Sequence, residues 1–372
     1  MENLTVMNKV LSICIASYNK SEHTTTLVKN LLTCNNPEFE IVVVDNASTD
    51  DTVKQLNLIK DDRLRIIVNQ ENIGGARNFL ASVFGGEGTF CLYTNDRDII
   101  FPEKLDTFIA YLKQHDYIGG GHCTRNKCDN EMGGIEYKGV DALLTLNFRG
   151  AHPTGFFFKR SLLNDIPNET LQKYGFVEPY LSFPWEGFLC EIICNGFVVV
   201  QYNDVIWQST GDTTHSKYTS GYYIKGDDKD RWFFPNNRLQ LTIAETSETL
   251  RLAKAGGIEL SKEDRYKLYA HVFKYQYAFA VYRYKVIYET PSLAYHYKVP
   301  CRKVSKKEMK DCREVMIGGY INYIRNVEGG QHKLESYIYD EARARDKKYY
   351  KSRLNIFRRI KGFFLQQIKN NA

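Results

Sequence analysis

The chain has 372 residues, 43% of them hydrophobic and 25% charged, with a formal charge of +6. That length accommodates two or three domains with real cores, and no stretch nears the ~20 consecutive apolar residues of a membrane-crossing helix. The positive charge is uneven: residues 341–372 hold ten Lys and Arg against Glu341 and Asp346, which leaves the remainder slightly negative and assigns any anionic partner to the C-terminus.

The first hundred residues alternate strand and helix signals. Val10-Leu11-Ser12-Ile13-Cys14-Ile15-Ala16 is a short apolar run that ends at Ser17-Tyr18-Asn19, and apolar spacing over 24–34 predicts a helix. Glu40-Ile41-Val42-Val43-Val44 predicts a second buried strand, stopped by the polar run Asp45 to Asp51; a short helix and a third strand, Leu64 to Val68, follow. Asn72-Ile73-Gly74-Gly75 opens another helix through Val83, and Thr89 to Tyr93 is a fourth strand running into Asp96-Arg97-Asp98. Continuous apolar strands separated by helices imply a parallel sheet covered on both faces. Such sheets bind ligands at the carboxyl ends of their strands, where the polar clusters lie.

Past residue 100 the pattern loosens. Phe156-Phe157-Phe158 and Phe197 to Val200 are strand candidates, with a helix from about Gly187 to Cys194 between them. Residues 208–230 are rich in Thr, Ser, Gly, Asp and Tyr and read as a long loop. From Asn237 onward the chain is helical, with Tyr266, Tyr269, Phe273, Tyr277 and Tyr284 on one face. The expected division is a first domain over 1–235 and a helical region over 236–372. Nine scattered cysteines, an odd number, point to free thiols. Cys123 and Cys128 lack a second pair at zinc spacing, and Cys190 and Cys194 fit a helix core. The start Met1-Glu2-Asn3 has no secretory-signal pattern, so a cytoplasmic location is expected.

Neither G-x-G-x-x-G nor a Walker-type loop is present, so a bound phosphate would need a metal or basic side chains. Asp96-Arg97-Asp98 is the strongest chemical pointer. Two carboxylates one residue apart beyond a strand can converge on one hard cation, and they can equally form a solvated acidic turn.

Taken together, Leu11 to Asn19, Ile41 to Thr52, Asn72-Ile73-Gly74-Gly75-Ala76-Arg77-Asn78, Asp96-Arg97-Asp98 and Phe101-Pro102-Glu103-Lys104-Leu105 resemble, in order, the family 2 glycosyltransferases. The likeness is close over 10–105 and loose over 150–215. It implies a GT-A fold: an α/β, Rossmann-like nucleotide-sugar domain with a mixed, mostly parallel sheet, here with a C-terminal helical extension. It also implies an inverting transferase that moves a sugar from a nucleotide-diphosphate donor, a UDP-sugar in this reading, to an acceptor hydroxyl. Cell-surface polysaccharide or glycolipid synthesis, with a glycan or lipid-linked acceptor, is the expected setting.

Carried over residue by residue, Ser17 and Asp45 would face the nucleoside, Asp45 accepting from a base N–H. A turn aspartate bonding its own backbone explains Asp45 as well. Asp50 and Asp51 suit a helix N-terminus. Arg77 would contact the base or diphosphate. Asp98 aligns with the family's ligand for Mn²⁺ or Mg²⁺ and Asp96 with the ribose-side or second metal contact. Arg97 stands where an acidic residue is usual, and strand alternation would turn it away from the two aspartates. The family's general base is usually the Asp of a Glu-Asp pair at a helix start. Here the pair is absent and Glu186, beside a Trp185 that would serve as a sugar platform, takes that place; Glu191 and Glu178 are weaker candidates. His215 corresponds to a histidine that faces the metal or diphosphate in many relatives, and the Ser/Thr/Gly/Tyr segment 209–223 reads as a lid over donor and acceptor.

The tail carries Leu354, Phe357, Ile360, Phe364 and Ile368 at helical spacing, with basic residues opposite. Such a helix suits an anionic membrane surface, the inner face of the cell membrane in this reading, or packing on the Tyr-rich helices. A nucleic-acid-binding or membrane-binding protein without catalysis is the alternative from another class. Against nucleic acid stands the confinement of positive charge to the terminus. A sugar-nucleotide pyrophosphorylase would need a basic glycine-rich loop that is missing after the first strand.

Overall fold

The computed structural model describes residues 9–124, 133–148, 152–166, 184–209, 234–296, 299–329 and 333–349. His215, Glu178, most of 209–223 and the amphipathic stretch 354–368 lie outside the described residues.

The chain forms two compact units: 1–232 with 244–261, and 233–243 with 262–372. The first holds β1 (Leu11–Ser17), α1 (Ser21–Leu31), β2 (Phe39–Asp45), α2 (Thr52–Leu56), β3 (Leu64–Val68), α3 (Gly75–Gly85) and β4 (Phe90–Asn95). After a two-residue strand β5 (Ile99–Ile100) come α4 (Leu105–Gln114), β6 (Gly120–Cys123), β7 (Gly134–Tyr137), α5 (Gly139–Thr145), β8 (Phe156–Lys159) and α6 (Arg160–Asn164). Then follow α7 (Pro184–Cys194), β9 (Val199–Tyr202) and β10 (Trp207–Gln208).

Eight strands form one sheet in the order β3-β2-β1-β4-β8-β6-β9-β7. β3, β2, β1 and β4 run parallel, as the continuous apolar runs require, and β6 and β9 are also parallel. β8 is antiparallel to both β4 and β6, and β7 to β9. β1 and β2 are buried along their whole lengths except for Ala16, which is half-buried. On one face Leu11, Ile13, Ile15, Ile41 and Val43 meet Leu27, Val28 and Leu31 of α1 and Phe108, Ile109 and Leu112 of α4. Burying each such side chain contributes about 1.5–3 kcal/mol. The eight described cysteines are free thiols.

The long helix α8 (Pro235–Ala255) contributes residues to both units. The second unit adds α9 (Lys262–Ala278), a π-helical turn (Phe279–Arg283), α10 (Tyr284–Glu289), α11 (Pro291–His296), α12 (Lys306–Glu328) and α13 (333–349). Tyr266, Tyr269, Phe273, Tyr277 and Tyr284 are all buried, as their spacing predicts. Within this unit Phe273 stacks on Tyr320 with ring centroids 5.4 Å apart, and buried Arg238 donates to Gln276 Oε1 at 2.8 Å. Ser305 and Glu308 close a capping box at the start of α12. Among the described residues no helix is long and apolar enough to cross a membrane.

Between β6 and β9 the backbones approach so closely that a Cβ on Gly121 would lie 2.0 Å from the Val200 carbonyl oxygen. Gly121→Ala is therefore expected to destabilise the first unit by about 2–3 kcal/mol, read as a lower urea midpoint with unchanged slope.

Candidate functional site

The sheet changes direction at β1. The chain steps outward from β1 to β2 and β3, then returns to β4 on the other side. At such a switch point the loops leaving β1 and β4 part, and the carboxyl ends of the strands border a crevice. Register fixes what stands there: Ser17 pairs with Asp45, and Ala16 with Asn95. Asp45 and the Asp96–Asp98 turn thus flank Ser17 on neighbouring strands, roughly two strand spacings or 10 Å apart.

The loops after β1 and β2 interlock. Asn19, with a positive φ of 52°, accepts at Oδ1 from the N–H groups of Thr49 (2.7 Å) and Asp50 (3.3 Å), while its own N–H donates to Ser48 Oγ (2.8 Å). Asp50 accepts from the N–H groups of Ser21 (3.1 Å) and Thr52 (3.0 Å), at the starts of α1 and α2. That is the helix-N-terminus role its position predicts.

Asp45 is 0% exposed, and its carboxylate accepts from Ser48 N–H (2.8 Å) and Ser48 Oγ (2.5 Å). The turn-closing arrangement is therefore present. A carboxylate offers about four acceptor positions, so capacity for a base N–H remains. The Ser17 hydroxyl shares a 2.7 Å hydrogen bond with Thr24 Oγ1 and lies close enough to the Asp96 carboxyl to favour its charged form. Arg77 is half-buried on the first turn of α3, one residue before Asn78.

Asp96 and Arg97 do not continue β4. Asp98 N–H donates to Asn95 O (3.2 Å), closing a turn with Asp96 and Arg97 at its centre. Strand alternation therefore does not apply to Arg97, whose charge acts on Asp96, as do those of Lys20 and His23. Although Asp96 keeps some accessible surface, enough protein surrounds its carboxyl that desolvation pushes its pKa up to about 6 against those three cations.

Asp98 has different neighbours. Among the described residues its side-chain contacts fall on Oδ2: the Thr154 hydroxyl, Asn95 Nδ2 at 3.2 Å and His152 Nδ1 at 3.5 Å. His152 stacks on buried Trp207, with centroids 5.1 Å apart. Glu186 lies at the start of α7 and is 1% exposed. Trp185 is buried edge-on against Phe79 (5.6 Å), which itself packs on Tyr93 (4.6 Å), so its indole is a core ring and not an open sugar platform. The same ring contacts bring the start of α7 to the end of β4. Glu191 is buried within α7.

Sequence reasoning missed two groups. Asn46, Asn69, Asn72 and Asn78 form a carboxamide ladder across the strand ends: Asn46 Nδ2 donates to Asn72 Oδ1 (2.9 Å), and Asn69 Nδ2 to Asn46 Oδ1 (3.1 Å) and Asn78 Oδ1 (2.9 Å). Asn78 Nδ2 then donates to Val44 O (3.1 Å). The second is His152 with Thr154, whose only signal was a polar segment before the Phe156–Phe158 run. A separate cleft of about 550 Å³, lined by residues including Asn30, Asn36, Glu103 and Asp106, shares no residue with this crevice.

Among the described residues no group of three His, Cys, Asp or Glu could hold a metal alone. The donor set at the turn is two carboxylates. That fits Mg²⁺ or Mn²⁺, hard cations that complete their shells with phosphate oxygens and water.

A family model for glycosyl transferase family 2 matches residues 12–167. The abequosyltransferase RfbV of Salmonella typhimurium is 32% identical over 111 residues, 28% of this chain and 32% of that protein. The poly(ribitol-phosphate) beta-N-acetylglucosaminyltransferase TarS of Staphylococcus aureus is 31% identical over 110 residues, 28% of this chain and 19% of that protein. The match therefore spans a third or less of these relatives' length. Crystal structures of S. aureus TarS 1–349 with UDP and with UDP-GlcNAc superpose with TM-scores of 0.55 and 0.57 over 92% of both chains, at 18% identity. The fold is the GT-A fold, a mixed, mostly parallel α/β sheet followed by C-terminal helices.

Because Asp96 has a folded pKa near 6, above its unfolded value, its neutral form adds stability that is complete below about pH 4 and lost as pH rises through 6. Asp96→Asn is expected to be more stable than the parent at pH 7.5 by about 2 kcal/mol, with the gap closing near pH 4 in urea titrations.

Proposed function

We propose, from the match of residues 12–167 to the glycosyl transferase family 2 model, that the chain is an inverting glycosyltransferase of that family using a nucleotide-diphosphate sugar, with UDP as the nucleotide. One observation carries the reading. The register of β1 with β2 and β4 brings Ser17, Asp45 and Asp96 to adjacent strand ends at the switch point, where a nucleotide is expected to lie. The activities that name the two relatives, both sugar transferases, support a sugar as the transferred group. The UDP and UDP-GlcNAc bound in the TarS crystals support uridine as the nucleoside.

In this reading Ser17 and Asp45 bind the nucleoside, Asp45 accepting from the base. Arg77 meets the base or diphosphate. Asp98 and Asp96, with His215 outside the described residues, would hold Mn²⁺ or Mg²⁺, which when bound supplies positive charge beside the departing diphosphate. Arg97, Lys20 and His23 bring further positive charge to that end of the site. Glu186 takes the proton from the acceptor hydroxyl as that oxygen attacks the anomeric carbon from the face opposite the diphosphate, inverting the centre. Its burial at the start of α7 removes water that would compete for the proton and for the sugar. The acceptor is a hydroxyl of a glycan or lipid-linked glycan in cell-surface polysaccharide or glycolipid synthesis. The enzyme acts in the cytoplasm, with the basic tail touching an anionic membrane. The domain boundary at 235/236 belongs to the same proposal.

A thermal-shift panel of nucleoside diphosphates with and without Mn²⁺ tests the donor. UDP with Mn²⁺ at a hundredfold excess over its Kd should add about 2.7 kcal/mol, and no response to any nucleotide overturns the assignment. Glu186→Gln should keep that shift while transfer to acceptor falls at least about 100-fold. Unchanged turnover removes Glu186 as the base.

A further inference from the structure

The Asp98 carboxylate is held from one side. Thr154 sits in the turn that enters β8, and because β8 runs antiparallel to β4 this turn is brought to the carboxyl end of the parallel strands. Thr154 is 0% exposed. Its hydroxyl accepts from Asn95 N–H (2.9 Å) and donates to Asp98 Oδ2, so it joins the last residue of β4 to the acidic turn. Its own N–H donates to His152 Nδ1 (3.3 Å), and the stack of His152 on Trp207 limits how that ring can move. Trp207 is fixed in turn. Its Nε1–H donates to Cys123 O (3.0 Å), and β10, which carries it, pairs with β5 directly after Asp98, Trp207 opposite Ile100. A Cβ on Gly155 would lie 2.5 Å from Trp207 Nε1, so only glycine admits the indole there. The contacts form a closed circuit from Asp98 through Thr154, His152, Trp207 and β5 back to Asp98.

We propose that Thr154, braced by His152 on Trp207, is a positioning residue for Asp98: it holds Oδ2 within the protein and leaves Oδ1 as the oxygen that would meet the divalent cation accompanying the donor. This rests on the reading of Asp98 given above. An isolated carboxylate in a turn rotates about χ2 and presents either oxygen. A hydroxyl that is itself oriented by a backbone N–H removes that freedom, and a ligand oxygen held in place is what a cation with demanding octahedral geometry selects. Losing such an outer partner typically costs 10- to 100-fold in metal affinity.

The test is a Mn²⁺ titration in the presence of saturating UDP, read as the Mn²⁺ concentration giving half of the thermal shift, with transfer kinetics alongside. Thr154→Val keeps the shape of the side chain and removes the hydroxyl; it should raise the half-point at least about 10-fold and lower transfer in parallel. Thr154→Ser keeps the hydroxyl and should return the half-point to within about threefold of the parent, a rescue that a purely structural role for the methyl group would not give. Asp98→Asn is the control on the underlying reading. If Asp98→Asn raises the half-point and Thr154→Val does not, the positioning role is overturned while the metal reading stands. If neither moves it, Asp98 does not hold the cation and both fall. If Thr154→Val does not fold, His152→Ala carries the test at a side chain that is 30% exposed. A rise of about threefold supports the brace, and no change overturns it.

Discussion

β1 has a parallel neighbour on each side, and the crevice depends on that pairing. Because β1 is buried between β2 and β4 and has apolar residues facing both layers of helices, a slip of one residue would send every side chain to the opposite packed face, where it does not fit. The register is thereby pinned, and with it the alignment of Ser17, Asp45 and the turn after Asn95. Ending three strands together leaves carbonyl groups without ladder partners, each costly if it stays unbonded. Asn78 donates to Val44 O and, at 3.4 Å, to Ser17 O, which also accepts from Asn46 N–H at 2.8 Å. Its own oxygen is taken by Asn69, which links it to Asn46 and Asn72. The strand ends are closed by side-chain amides from α3 and the loops, and this allows the rim to be polar without being loose.

Polar residues at the rim therefore divide by what already occupies them. Asn19 and Asp50 accept backbone N–H groups from the loops and helix starts around them. Those bonds account for their presence without a ligand. Asp45 closes a turn and retains acceptor capacity. The spent residues give the crevice its shape, and the ones with capacity give it chemistry. A preformed rim of this kind leaves little ordering entropy to be lost on binding a ligand.

The four parallel strands and the polar clusters at their ends were legible because doubly buried strands read as unbroken β-branched runs, and because carboxyl ends are where such sheets place ligands. The direction of β8 was not legible. A three-phenylalanine run has no polarity, so nothing indicated that it reverses and delivers His152 and Thr154 to Asp98. β5 and β10, two residues each, are too short for any periodicity and exist because each supplies the other's partner. Alternation misled at Arg97 because a single hydrogen bond, Asp98 N–H to Asn95 O, ends the strand one residue before the motif. Trp185 misled because an indole beside an acid serves a core as well as a sugar, and only its contact with Phe79 separates the two. The asparagine ladder left no trace, since its four members come from three separate segments.

The turn also resolves the oddity of a cation inside the acidic motif. With Asp96 and Arg97 at the centre of a turn, the two aspartates answer to different surroundings. Asp96 is desolvated and compensated by Arg97, Lys20 and His23, so at neutral pH its negative charge is largely offset by protein cations. Asp98 accepts from the Thr154 hydroxyl and the Asn95 amide, neutral donors that stabilise a carboxylate without cancelling its charge as a lysine or arginine would. In the proposed reading a divalent cation gains more from the second environment than from the first, and the basic cluster around Asp96 is suited to the phosphate oxygens.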